Sequence, residues 1–184
     1  MATENRPEEI AELHKRALQM LEHCEESPPY EPIQGFRPTL RIWHYPALSP
    51  YAVWMLFQPD PGSVRKQQWH VREVIWDRPH DMSRFAHPLE GVRQGFLSPP
   101  TINVRDAGAP NGLISDSLRQ IARLPIPVVG VEGPIGLDGD MSGIETYDPF
   151  LRVRLEWWWE GPRAWKTFIQ AVVRLREVLL HSFE

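Results

Sequence analysis

The fold is decided near the C-terminus by residues 150–159, which read FLRVRLEWWW. Apolar and charged residues alternate along this run, which is the pattern of a β-strand with one buried face. We therefore predict a strand over Phe150–Trp159. Its inward face would carry Leu151, Val153, Leu155, Trp157 and Trp159. Trp158 falls on the opposite face together with Arg152 and Arg154.

An amphipathic helix is predicted at each end of the chain. After Gly161 and Pro162, apolar residues recur at helical spacing: Trp165, Phe168, Ile169, Val172, Leu175, Leu179 and Phe183. Near the N-terminus a second apolar stripe follows a capping-box spacing at Asn5 and Glu8: Ile10, Leu13, Ala17, Leu21 and Cys24. Each helix has a single apolar face, so each must pack on something.

The middle of the chain supplies the sheet. Three strands separated by proline-rich turns are predicted at Leu40–Tyr45, Tyr51–Gln58 and Trp69–Trp76, in the order of an antiparallel meander. The second strand is apolar on both faces, which predicts a central strand covered on both sides. Further elements are a short helix at Met82–Ala86, a strand at Thr101–Arg105, a helix at Gly112–Leu124 and a strand at Val128–Val131. The fold class is α+β: one domain over residues 1–184, whose mostly antiparallel sheet of about five to seven strands is packed by N- and C-terminal helices.

Composition narrows the classes of function. The net charge is −4, and no run of Lys or Arg marks a nucleic-acid surface, so nucleic acid is an unlikely partner. No segment has the roughly 20 consecutive apolar residues of a membrane span. The sequence holds one cysteine and begins without the apolar core of a signal peptide. We expect a cytoplasmic protein without a membrane segment.

The irregular segment 77–110 is the candidate site. Two carboxylates and two imidazoles lie close together in it, at Asp77, His80, Asp81 and His87. Such groups could supply a general base or hold a metal, which is the hydrolase alternative. The spacing of the two histidines matches no zinc motif, so we predict no metal and no cofactor. On neighbouring strands, His44 and His70 could instead face each other or Glu73.

The turn Asp138-Gly-Asp140-Met-Ser142-Gly143 resembles the first half of a calcium loop. Its twelfth position would fall on Pro149, which offers no side-chain ligand. A hairpin turn is the better interpretation. No glycine-rich phosphate loop is present, and Ser142 lacks the glycine two residues before it that a nucleophile elbow requires.

One resemblance can be stated for the C-terminal quarter. Ile135-Gly-Leu-Asp-Gly139, Glu145-Thr-Tyr147 and the run from Leu155 to Trp165 resemble the C-terminal part of small bacterial α+β proteins that have no assigned function. The resemblance implies an α+β fold and a bacterial origin, and it implies no catalytic residues. Some proteins of this size act as immunity proteins that neutralise toxins, which is an analogy of fold only.

Eight tryptophans and many arginines favour a binding role. An exposed tryptophan beside arginine is typical of a protein interface. Our first hypothesis is a non-enzymatic protein-binding module, of immunity or adaptor type, whose partner is another protein. The expected contact residues are Arg78, His80, Arg84, His87, Arg93 and Trp158.

Overall fold

The computed structural model describes residues 6–24, 30–62, 68–86, 99–127, 139–148 and 150–184. The helices are α1 (Arg6–Glu22), α2 (Arg78–Ala86), α3 (Asn111–Ala122) and α4 (Lys166–Leu180). The strands are β1 (Phe36–Tyr45), β2 (Tyr51–Pro59), β3 (Gln68–Trp76), β4 (Ile102–Pro110), β5 (Met141–Thr146) and β6 (Arg154–Trp158). Short 3-10 turns at Arg163–Trp165 and His181–Phe183 flank α4.

The six strands form one sheet in the order β4-β3-β2-β1-β5-β6, and every neighbouring pair is antiparallel. The predicted α+β class with N- and C-terminal helices on an antiparallel sheet is confirmed, including the meander of β1, β2 and β3. The structure adds β5, which the sequence analysis left as a turn region. The predicted strand Val128–Val131 lies outside the described residues.

Helices cover both faces of the sheet. On the face that we call the α4 face, α3 and α4 bury a cluster that contains Trp54, Leu56, Val71, Ile144 and Trp157. On the opposite face, the α1 face, α1 packs over Trp43, Val53, Met55, Val74 and Trp76. Strand β2 contributes to both clusters, so the expectation of a central strand buried on both sides is confirmed.

Buried arginines tie α1 to its face of the sheet. Arg41 of β1 forms an ion pair of 2.6 Å with Glu145 of β5 and donates to the carbonyl oxygen of Glu22. Arg72 of β3 pairs with Asp106 of β4 and donates to the carbonyl oxygen of Cys24. Both side chains thereby satisfy carbonyl groups at the C-terminal end of α1, where cations are favoured.

The strand predicted at Phe150–Trp159 is shorter than its sequence pattern. The Asp148 carboxylate accepts hydrogen bonds from the amides of Phe150 and Leu151, which holds this part of the chain in a turn. Leu151 and Trp159 are exposed and Val153 is near the surface, so their predicted inward orientation is wrong, whereas Trp157 is buried as predicted. Trp159 leaves the strand with a left-handed φ of 53°. In the described residues no helix is long and apolar enough to cross a membrane.

Candidate functional site

Asp81, a candidate of the hydrolase alternative, links several elements of the fold. It is fully buried and accepts hydrogen bonds from the indole Nε1 of Trp76 at 2.7 Å and from the amide of Thr101 at 2.8 Å. The Thr101 hydroxyl and the Arg84 guanidinium donate to its other oxygen. With both oxygens engaged, Asp81 ties β3, α2 and the start of β4 together.

Of the other candidates in segment 77–110 that the structure describes, Arg84 pairs with Asp81, whereas the side chains of Asp77, Arg78 and His80 have other surroundings. Asp77 caps α2, because its carboxylate accepts a hydrogen bond of 3.1 Å from the amide of His80. The side chain of His80 is exposed. Arg78 donates to the carbonyl oxygen of Ala47 at 2.6 Å and lies over the ring of Tyr51. His87 and Arg93 lie outside the described residues, within which no group of three or more potential metal ligands occurs.

The two strand histidines do not meet. His44 lies on the α4 face, where its Nδ1 is 2.9 Å from the hydroxyl oxygen of Ser142. His70 lies on the α1 face against Phe57, with its Nε2 3.3 Å from Asp106. The expectation that they face each other, or that His70 faces Glu73, is therefore wrong, since strand β2 separates β1 from β3 and the two rings lie on opposite faces.

Exposed apolar side chains cluster around β6. The set comprises Phe150, Leu151, Val153, Trp158 and Trp159, and we call it the β6 apolar surface. Phe150 is 97% exposed, and the two tryptophans are 44% and 63% exposed. The predicted contact residue Trp158 is thus one of several large apolar side chains that are exposed within and beside this edge strand.

A groove continues this surface beneath the sheet edge. It has a volume of about 800 Å³ and lies between α3 and strands β1, β5 and β6. Its apolar lining includes Leu118, Ile121, Ile126, Val153 and Leu155. Val153 belongs to both the groove and the β6 apolar surface, so the two meet at this residue.

Strand β6 is the edge strand of the sheet that the described residues form. The amide of Trp159 donates to Asp140 at 2.8 Å, and the amide of Thr146 donates to Val153 at 2.9 Å. In an antiparallel pair the backbone groups of alternate residues point to the same neighbour. The amides of Leu155 and Trp157 therefore face β5, and those of Arg154 and Glu156 face outward. Within the described part of the chain, no strand pairs with that outer side.

A small polar pocket opens on the α4 face, and we call it the His44 pocket. Its volume is about 340 Å³. Its polar members are His44, Asp140, Ser142, Glu160 and Arg176. Its apolar walls come from Ile42, Trp157, Trp159, Ile169, Val172 and Val173, together with Trp43. Strands β1, β5 and β6 thus meet helix α4 at one cavity.

Two basic groups of the His44 pocket are partly removed from water. Burial, aided by the nearby Arg176 guanidinium, lowers the pKa of His44, so this imidazole is neutral at pH 7. Burial also lowers the pKa of Arg176. The Nε of Arg176 is buried and has no hydrogen-bond partner among the described residues, and its Cζ lies 5.8 Å from the ring centroid of Trp54.

The sequence analysis missed this pocket because it considered only the apolar residues of the last helix, and Arg176 is not among them. The signal was present: Arg176 follows Val172 by four positions and precedes Leu179 by three, which places it on the inner face. Ser142 and His44 could not be joined from the sequence, since β1 and β5 are neighbours only in the folded sheet. Comparison of the chain with protein-family models, with curated proteins and with solved structures finds no match.

Proposed function

We propose that the chain is a protein-binding module whose contact surface is the outer edge of β6 with the β6 apolar surface around it. The observation that supports this proposal is the coincidence of five exposed apolar side chains with a strand edge that no strand of the described residues pairs with. An edge of this kind pairs with an extended strand of another chain, which gains main-chain hydrogen bonds. The hydrolase alternative has less support, because Asp81 and Asp77 already serve the fold.

The side chains of β6 specify the strand that would fit. Arg154 and Glu156 present backbone groups to the incoming strand, so the residues opposite them would be hydrogen-bonded pairs. An acidic residue opposite Arg154 and a basic residue opposite Glu156 would be favourable. Between them, Leu155 calls for an apolar residue.

The β6 strand of a second copy satisfies this pattern in one antiparallel register. When Arg154 lies opposite Glu156 of the second copy, the twofold axis passes between the two Leu155 residues, and Val153 lies opposite Trp157. The register gives about four backbone hydrogen bonds and two oppositely charged pairs. We therefore commit to a second copy as the partner. Two six-stranded sheets would then join into one continuous sheet.

Sedimentation velocity on the purified chain tests this proposal. Over about 1–500 μM we expect a reversible monomer–dimer equilibrium with a Kd on the order of micromolar, because few groups are buried. Glu156→Pro removes an outward amide that β5 does not use, so the variant should fold and remain monomeric. Leu155→Pro removes an inward amide and should instead destabilise the fold.

Charge exchange separates this register from nonspecific association. Arg154→Glu places like charges opposite each other in the dimer and should weaken dimerisation, whereas Arg154→Glu with Glu156→Arg restores both pairs. A dimer that is insensitive to these changes contradicts the register.

A chain that stays monomeric at the highest concentration rules out the second copy as partner. A photoreactive residue at position 156, with one at exposed Lys166 as control, then tests the wider proposal in the source cell. A discrete adduct with a different protein at position 156 alone retains the binding role, and no adduct refutes it.

A further inference from the structure

We infer that the His44 pocket is a binding site for a small zwitterion, an amino acid with an apolar side chain, whose carboxylate is held by Arg176. This inference is independent of the contact surface at β6. It rests on the charges and walls of one cavity on the α4 face.

Arg176 differs from the other arginines that are at least partly buried in the described residues. Arg41, Arg72 and Arg84 each pair with a carboxylate, and Arg78 donates to a backbone carbonyl. Arg176 has neither kind of partner among those residues, although its Nε is shielded from water. A partly desolvated guanidinium is stabilised by an oxyanion, and its planar fork matches a carboxylate. Among the described residues no carboxylate forms an ion pair with Arg176, although Glu177 of the same helix acts on it electrostatically, so the guanidinium is open to the anionic group of a ligand.

The hydrogen-bonded pair of His44 and Ser142 adds a donor. If the Ser142 hydroxyl donates to Nδ1, then the proton of the neutral ring is on Nε2. If Nδ1 donates instead, then the hydroxyl proton is unused. In either tautomer one donor of the pair has no acceptor among the described residues, and it can serve the ligand's second carboxylate oxygen or a water that bridges to it.

The remaining charges select the class of anion. Asp140 and Glu160 also line the cavity, and they would repel a dianion such as phosphate. They would attract an ammonium group. One cation and two carboxylates around aliphatic and indole walls suit a ligand with a carboxylate, an ammonium group and an apolar side chain. A volume of about 340 Å³ is at the lower end of small-molecule sites, which suits a ligand of amino-acid size.

Isothermal titration of the full chain with four probes tests the inference. The probes are L-leucine, 4-methylpentanoate, which lacks the ammonium group, L-leucinamide, which lacks the carboxylate, and inorganic phosphate. We expect L-leucine to bind with a Kd below about 1 mM, 4-methylpentanoate to bind more weakly, and the other two to give no heat.

Arg176→Gln should weaken L-leucine binding by at least about tenfold, because a charge-assisted bidentate contact is lost. Arg176→Lys should cause a smaller loss, since the charge remains but the fork does not. Arg174→Gln is the matched control: it removes the same charge from an exposed position of α4 and should leave binding unchanged. Circular dichroism and thermal melting establish that each variant is folded, and Arg176→Lys serves if Arg176→Gln does not fold.

Four results would overturn the inference. L-leucinamide binding as tightly as L-leucine would exclude the carboxylate contact, and full affinity in Arg176→Gln would exclude Arg176. Phosphate binding more tightly than L-leucine would exclude the selectivity that Asp140 and Glu160 impose. An absence of heat from every probe up to about 10 mM would exclude the site, since a Kd beyond this range is too weak for a built pocket.

Discussion

Replacement of the buried carboxylate at Asp81 by alanine should destabilise the protein strongly. The side chain is fully buried and accepts hydrogen bonds from Trp76, Thr101 and Arg84. Asp81→Ala leaves the indole N–H of Trp76, itself fully buried, and the amide of Thr101 without an acceptor. The Trp76 indole is held in the core by β3 and cannot turn towards water, whereas the amide of Thr101, next to β4, is partly buried.

The magnitude follows from the number of donors that are left unpaired. Each buried donor without a partner costs about 1–3 kcal/mol. The Arg84 side chain is 25% exposed and can be hydrated, so its loss adds less. We expect a decrease of about 3–5 kcal/mol in the free energy of unfolding, the range for removal of one member of a buried ion pair. This is a large part of the roughly 5–15 kcal/mol that stabilises a typical native protein.

Urea unfolding followed by tryptophan fluorescence measures this loss directly. Asp116→Ala is the control, because Asp116 forms an exposed ion pair with Arg119 that is worth less than about 1 kcal/mol. A loss below about 1 kcal/mol for Asp81→Ala, with an unchanged m-value, would refute the structural role. Such a result would make Asp81 a candidate for the site of the hydrolase alternative again.

Three further predictions concern other parts of the fold. Gly143→Ala would drive a Cβ into the ring of the buried Trp43 and should lower the free energy of unfolding in urea by at least about 2 kcal/mol. Gly112→Ala lies in α3 and meets nothing within 4 Å, so it should raise that free energy by about 0.5–1 kcal/mol, and equal effects of the two changes would contradict the packing. The pKa values of His14 and His44 are lowered in the folded state, chiefly by burial, so stability should fall as the pH decreases through the unfolded value of 6.5, where only the unfolded chain takes up these protons. Between pH 7.5 and 5.5 the melting temperature of His44→Gln should fall less than that of the unaltered chain, and an identical fall would count against this linkage. The buried Cys24 thiol should react with a thiol reagent only as the chain opens, so labelling should be slow in buffer and fast in urea. Immediate labelling of the native chain would show that Cys24 is not enclosed in the cluster on the α1 face.

The layers of the fold could be predicted from the sequence because they depend on periodicity. The continuous apolar run of β2 predicts a strand covered on both faces, and the stripes of α1 and α4 predict the helices that cover it. These signals are local and repeat over many residues, so single exceptions do not hide them.

The ends of β6 could not be predicted in the same way. Alternation extends from Leu151 to Trp159, but the Asp148 carboxylate binds the amides of Phe150 and Leu151 in a turn, and the strand begins only at Arg154. A competing hydrogen bond of one side chain leaves no trace in a hydrophobic pattern.

The candidate site was harder to predict because it depends on contacts between distant residues. Asp81 and His80 are close in sequence, yet the carboxylate of Asp81 accepts hydrogen bonds from Trp76 and Thr101 while the side chain of His80 is exposed to water. His44, Ser142 and Arg176 come from three elements that only the sheet order brings together. The protein-binding role and the cytoplasmic location stay predictions.

The left-handed backbone conformation at Trp159 makes thermal stability and binding favour different residues at that position. A residue with a Cβ at such a φ loses about 1–2 kcal/mol relative to glycine, so a library sorted for thermal resistance should enrich Trp159→Gly. The same library sorted for retention of a partner or of a small ligand should keep the indole, which borders both regions. Opposite outcomes of the two sorts would show that the indole at position 159 lowers thermal stability but contributes to binding.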